Sequence, residues 1–215
     1  MLVLAFDTAT PAVTAAVHDG DRVLAERTTV DARRHGELLV PTIEAVLSDA
    51  GVSLRDVTAI VSGSGPGPYT GLRVGLMTAQ ALSSTTGAPA YGVCTLDVVA
   101  YATEVAGPFL VATDARRKEV FWASYDETGA RIGGPAVDRP GALPPDLPVA
   151  GAGGRLYAEI IGPERIIGPV YPSGAALAAL AAGRLAAGAP FDPPHPIYLR
   201  RPDARVPGPA KKVTA

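Results

Sequence analysis

The chain has 215 residues, 47% of them apolar and 19% charged, with a net charge of −2. That is enough for a sizeable core in one large domain or two small lobes, and it excludes disorder along the whole chain. The charge gives no general drive toward nucleic acid, no run of eighteen apolar residues offers a membrane span, and the single cysteine, Cys94, fits a reducing cytoplasm.

The opening apolar run, residues 2–6, reads as a buried strand. It stops at Asp7 with no basic segment before it, so no signal peptide is expected. Residues 13–18 read as a second strand, Asp19-Gly20 as a hairpin turn, and residues 22–30 as a third strand. A helix follows from His35. Leu38, Leu39, Ile43, Val46 and Leu47 fall at helical spacing, Gly51 closes the helix, and Pro41 is expected to bend it. Residues 57–61 form a strand, 72–85 a helix, 90–94 a strand and 96–105 a short helix.

The pattern then restarts. Residues 109–114 repeat an apolar strand ending in Asp, and residues 119–125 form a second strand before the turn Glu127-Thr128-Gly129. Both halves read strand, acidic residue, turn, strand, which implies an internal duplication. The expected division is a lobe over residues 1–105, a second and smaller lobe over 106–199, and a basic tail over 200–215. Residues 173–187, rich in alanine, are the clear helix of the second half. The tail carries Arg200, Arg201, Arg205, Lys211 and Lys212 against Asp203, and its prolines oppose a helix. It reads as an idle tail or as a loose, salt-dependent contact with RNA phosphates.

The stretch Gly63-Ser64-Gly65-Pro66-Gly67-Pro68-Tyr69-Thr70-Gly71-Leu72-Arg73-Val74-Gly75 lies between a strand and a helix. Gly-rich turns there often offer N–H groups to phosphate. The P-loop pattern fails because Leu72 and Arg73, not Lys and Ser/Thr, follow Gly71. The dinucleotide pattern fails because Thr70 or Pro68 stands at its third glycine. Pro66 and Pro68 also lack the N–H groups a cradle would use. A tight strand-to-helix turn is the plainer reading.

Four motifs, in order, resemble the TsaB (YeaZ) family: Asp7-Thr8-Ala9-Thr10, Arg34-His35-Gly36-Glu37-Leu38-Leu39-Val40-Pro41, the Gly-Pro-Gly block, and Asp114-Ala115-Arg116. Tyr198-Leu199-Arg200 is similar to that family's final strand. The resemblance implies an α/β fold of the actin/Hsp70/sugar-kinase class with two duplicated lobes, the second reduced. It implies a cytoplasmic, non-catalytic subunit that supports the paralogue TsaD. That complex, with the ATPase TsaE, transfers a threonylcarbamoyl group to the adenosine after the anticodon of tRNA. tRNA would be met through the complex, and no cofactor is implied.

The residues agree with a subunit that lacks chemistry of its own. ATPases of this fold class follow the Asp of the first turn with Gly-Thr, whereas Asp7 is followed by Thr8-Ala9-Thr10 and Asp114 by Ala115-Arg116. Without glycine the backbone cannot approach phosphate closely. Asp7, in this degenerate phosphate turn, then reads as a cap of the turn. TsaD-like proteins place a histidine pair where this chain has Thr95 and Val99, neither of which competes with imidazole for metal. His18, His35 and His195 are dispersed, and Cys94 reads as a buried, inert thiol. The two early helices remain as a partner surface, carried by Leu38, Leu39, Ile43, Val46, Leu47, Tyr69, Leu72, Arg73, Leu76 and Ala79. Gly71, Gly75 and Ala79 recur every four residues and would admit another backbone. The bland alternative is that these helices pack only on each other. Two rival functions are a stand-alone actin-like ATPase or small-molecule kinase, and a homodimeric module using the same helix surface on itself.

Overall fold

In the computed structural model, residues 1–200 are described; residues 201–215, and with them nearly all of the basic tail, lie outside. The first half folds as β1 (Val3–Asp7), β2 (Ala12–His18), β3 (Val23–Val30), α1 (His35–Ala50), β4 (Ala59–Gly63), α2 (Tyr69–Thr86), β5 (Ala90–Val93) and α3 (Thr95–Tyr101). The second half folds as β6 (Phe109–Asp114), β7 (Val120–Tyr125), β8 (Arg131–Asp138), β9 (Val149–Ala150), α4 (Ala152–Leu156), α5 (Ala158–Ile161), β10 (Ile166–Ile167) and α6 (Gly174–Ala186).

The two sheets are topological copies. The first has the order β3-β2-β1-β4-β5 and the second β8-β7-β6-β9-β10. In each, the opening strand pairs antiparallel with the next and parallel with the fourth, as in β1 with β2 and β4, or β6 with β7 and β9. This is the duplicated two-lobe α/β fold that the two strand-to-Asp runs implied. The second copy is reduced: β9 and β10 have two residues each.

β1 is buried on both faces, so it reads as a continuous apolar run. Its Leu4 and Phe6 point to the side covered by α1 and α2. Val3 and Ala5 point to the side covered by α3 and α6. The division near residue 106 falls between α3 and β6, but α6 returns from the second half to cover the first sheet. Gly174 makes that return possible, since a Cβ there would press on the Ala15 backbone. Ser173 caps the helix by accepting from Ala176 N at 2.9 Å.

α1 includes Pro41 and ends on Gly51 at φ 67° as expected. One reading is corrected: Tyr198–Arg200 forms no strand. Pro193, Pro194 and Pro196 remove ladder donors, and the segment is held by single bonds such as Ile197 N to Ser64 O at 2.8 Å. The strand β8 was also unforeseen, because Gly133-Gly134-Pro135 sits in its middle and reads as a loop.

Candidate functional site

The end of β1 is where this topology offers its chemistry. Asp7 is fully buried there. Its Oδ1 accepts from Ala9 N at 2.6 Å, the turn-capping role read from the sequence. Its Oδ2 accepts from the Thr95 hydroxyl at 2.7 Å. Gly63 gives the carboxylate its room, because a Cβ at that position would overlap it. Burial pushes the Asp7 carboxyl up to about 6, against the pull of its two hydrogen bonds and of His35. His35 itself is tied by Nε2 to Thr10 O at 2.8 Å.

The first residues of the Gly-Pro-Gly block, Ser64 and Gly65, turn their amides inward over this acid. Gly65 N donates inward to Thr95 Oγ1 at 3.1 Å, and Thr95 N donates to Gly65 O at 2.8 Å. Ser64 N is taken by Val93 O at 2.8 Å. Gly65 has φ 89°, a backbone only glycine adopts readily. A Cβ at Gly67 would meet the Ala9 carbonyl, so this loop lies directly on the β1–β2 turn. Pro68 then caps α2, which begins at Tyr69, three residues earlier than the sequence reading placed it. Thr95, at the metal-ligand position of the resemblance, thus spends its hydroxyl on Asp7 and Gly65. Val99 is buried in a hydrophobic cluster with Leu96, Phe109 and Tyr125.

The remaining reactive groups are likewise engaged in structure. Cys94 is buried, and desolvation with the nearby Asp97 carboxylate pushes its thiol up to about 12. Asp114 Oδ1 accepts from Arg116 N at 2.8 Å, and its Oδ2 pairs with the Arg116 guanidinium at 3.2 Å. His18 Nδ1 accepts from Gly20 N at 3.0 Å.

The partner surface needs redrawing. Leu39, Ile43, Val46, Leu47 and Ala79 lie in the chain's own core against β1 and β2. Leu72 and Leu76 are buried too, and Leu38 packs against the same core. A side chain already covered by its own sheet cannot also cover a partner. Gly71, Gly75 and Ala79 do admit a close backbone, but it is intramolecular: Cβ atoms at Gly71 and Gly75 would meet Thr8. Of the expected residues, Tyr69 and Arg73 are exposed, with the Arg73 guanidinium 4.1 Å from the Tyr69 ring centroid. The same two helices expose Val40 and Met77, at 50% and 54%. Apolar counting could not find these two, since helical spacing ranks them below their buried neighbours.

A cavity of about 600 Å³ opens where the Gly-Pro-Gly loop faces the β6–β7 turn, lined by Tyr69, Phe121, Tyr198, Arg116 and Arg200 among others. Among the described residues, no helix is long and apolar enough to cross a membrane.

A family model described as "TsaD: tRNA N6-adenosine threonylcarbamoyltransferase" matches residues 22–198. An uncharacterized protein of Mycobacterium tuberculosis is 47% identical over 206 residues, covering 94% of this chain and 93% of that protein. The tRNA threonylcarbamoyladenosine biosynthesis protein TsaB of Escherichia coli is 38% identical over 134 residues, 60% of this chain and 58% of that protein. The solved structure of YeaZ from Pseudomonas aeruginosa matches with a TM-score of 0.78 at 30% identity, covering 92% of this chain and 99% of that one.

Proposed function

The chain belongs to the TsaD family and, within it, to the YeaZ (TsaB) branch, and from that premise we propose that it is a non-catalytic partner subunit of tRNA threonylcarbamoyladenosine formation. Its partner is the TsaD catalytic subunit, with the ATPase TsaE and tRNA joining through the complex, in the cytoplasm. The N-terminal lobe carries the docking helices and the C-terminal lobe is the reduced copy.

One observation carries this reading: the acid at the end of β1 is sealed. Asp7 is fully buried, and its two oxygens are taken by Ala9 N and the Thr95 hydroxyl. Complete burial keeps that carboxylate from solvent, and so from a metal, a water or a phosphate-bound ion arriving from it. A subunit with its own first turn closed contributes to the family's chemistry by holding another subunit.

The docking surface is the exposed side of α1 and α2, around Val40, Met77, Tyr69 and Arg73. The test is co-purification with TsaD and a transfer assay with threonylcarbamoyl-adenylate and tRNA. The chain alone transfers nothing and hydrolyses ATP at background; with TsaD, transfer appears. Turnover by the chain alone, abolished by Asp7→Ala, overturns the reading. A stable self-dimer with no capture of TsaD favours the homodimeric module instead.

A further inference from the structure

The turn between β6 and β7 carries a feature that a docking role does not use. Arg116, Arg117 and Lys118 follow one another at φ 60°, 56° and 61°. Left-handed backbone is uncommon for a single long side chain, and here three basic ones share it. All three are exposed. The turn stands between two openings. On one side is the cavity lined by Arg116, Arg117 and Arg200 with Tyr69, Tyr198 and Phe121. On the other is a cavity of about 630 Å³ lined by Arg117, Lys118, Arg139 and Ile160. Arg117 borders both.

The local carboxylates are already engaged. Asp114 pairs with Arg116, Glu119 with Arg200, and Asp138 accepts from Trp122 Nε1 at 2.9 Å. Lys118 and Arg139 stand exposed beyond them. In a chain of net charge −2, this is a local concentration of cations. Aromatic surface lies beside it: Tyr198, 46% exposed, stacks at 5.4 Å on Tyr69, the ring that also edges the proposed docking face.

We infer that this turn and its two flanking cavities form an RNA-contacting surface, with phosphates running past Lys118 and Arg139 and an unpaired base lying in the Tyr198 cavity. Cations in a row beside exposed rings match a single-stranded or loop segment, whose backbone is held by charge and whose bases stack. A mononucleotide would fill one opening and leave the cations of the other without a ligand. The inference rests on the proposed function only for the identity of the RNA, a tRNA.

The experiment titrates fluorescein-labelled tRNA transcript, from a tRNA reading a codon that begins with A, into the full-length chain and into its complex with TsaD. Salt runs from 50 to 200 mM. The variants are Lys118→Gly, Arg139→Ala and the pair. Glycine tolerates the backbone at position 118, so Lys118→Gly is expected to melt at or above the wild-type temperature while binding less RNA. The pair is expected to weaken binding about tenfold at low salt. It should also make the log–log salt slope shallower by about 1.5, for two lost phosphate contacts. Wild-type affinity and slope in the folded double variant overturn the inference. So does absence of any binding by the wild-type chain, or full displacement of the transcript by millimolar AMP. Capture of TsaD is measured on the same variants: retained capture with unchanged RNA binding removes this inference and leaves the partner role standing. Failure of the wild type to capture TsaD does the reverse, since the chain-alone titration still decides the RNA surface.

Discussion

The Thr95 hydroxyl donates to Asp7 Oδ2 at 2.7 Å, joining residues 88 positions apart, and Thr95 Oγ1 in turn accepts from Gly65 N at 3.1 Å. One side chain therefore ties the end of β1, the Gly-Pro-Gly loop and the start of α3 together. It also replaces what would be an open acid with a closed one.

That closure predicts an unusual pH dependence. Asp7 titrates at about 6 in the folded chain against 3.8 as its ordinary value. Between about pH 4 and 6 the folded state holds a proton that the unfolded state has lost. Stability therefore falls as pH rises through this window, by about 3 kcal/mol in all. Exposed carboxylates such as Asp19 and Asp49 are held below their ordinary value by backbone N–H groups and by Arg27 respectively, so they act in the opposite sense, at lower pH. Denaturant melts at pH 7, 6 and 5 should show stability increasing on acidification, and Asp7→Asn should flatten the trend. A wild-type curve that is level or falls from pH 7 to 5 removes the buried-acid account.

Thr95→Val keeps the shape and deletes the hydroxyl. Asp7 Oδ2 and Gly65 N then lose their partner together inside the protein. The expected loss is roughly 3 kcal/mol, because an unmet buried donor and a carboxylate oxygen each cost 1–3 kcal/mol or more. Losing that hydrogen bond also raises the Asp7 carboxyl further, so the loss should be larger at pH 7 than at pH 5. Equal loss at both would mean that the carboxylate is not the group being served.

Much of this arrangement was legible in the chain itself. Two apolar runs ending in Asp7 and Asp114 gave the duplication, because a fully buried strand needs no alternation to be seen. Asp19-Gly20 and Gly51 marked a turn and a helix end through backbone chemistry that is local. What stayed hidden depends on distance in sequence. The carboxylate of Asp7 and the hydroxyl of Thr95 meet only through the parallel order β1-β4-β5. β9 and β10 are too short for any periodicity. The apolar faces of α1 and α2 belong to the chain's own core, which stayed hidden because apolar spacing locates a stripe but not what covers it. The β1–β2 turn, not a second molecule, takes the space that Gly71 and Gly75 leave.

That last point is testable with one methyl group. Gly71→Ala places a Cβ against the Thr8 carbonyl, and the Thr8 hydroxyl donates to Gly71 O at 2.7 Å, so neither backbone can withdraw freely. Overpacking of this kind is expected to cost about 1–3 kcal/mol. Thermal melts should fall while the folded protein captures TsaD as the wild type does. Weakened capture at unchanged stability would return the small-residue stripe to the partner surface.

The proposed docking surface is tested by charge insertion on opposite sides of one helix pair. Leu39 is fully buried in the core cluster and Leu76 is 4% exposed. Leu39→Glu would bury an unpaired carboxylate inside the chain, so circular dichroism should report unfolding. Val40 and Met77 are half exposed on α1 and α2, so a carboxylate at either position can stay in water in the free chain. Val40→Glu and Met77→Glu are therefore expected to fold with melting temperatures close to wild type. At a dry interface the same carboxylates lose water without gaining a partner, a cost of several kcal/mol. Each factor of ten in affinity is about 1.4 kcal/mol, so capture of TsaD should weaken about 100-fold or more. Calorimetric titration of each folded variant with TsaD gives the number. Wild-type affinity in both would move the docking site off the exposed faces of α1 and α2. Loss in one alone would show which helix the partner covers.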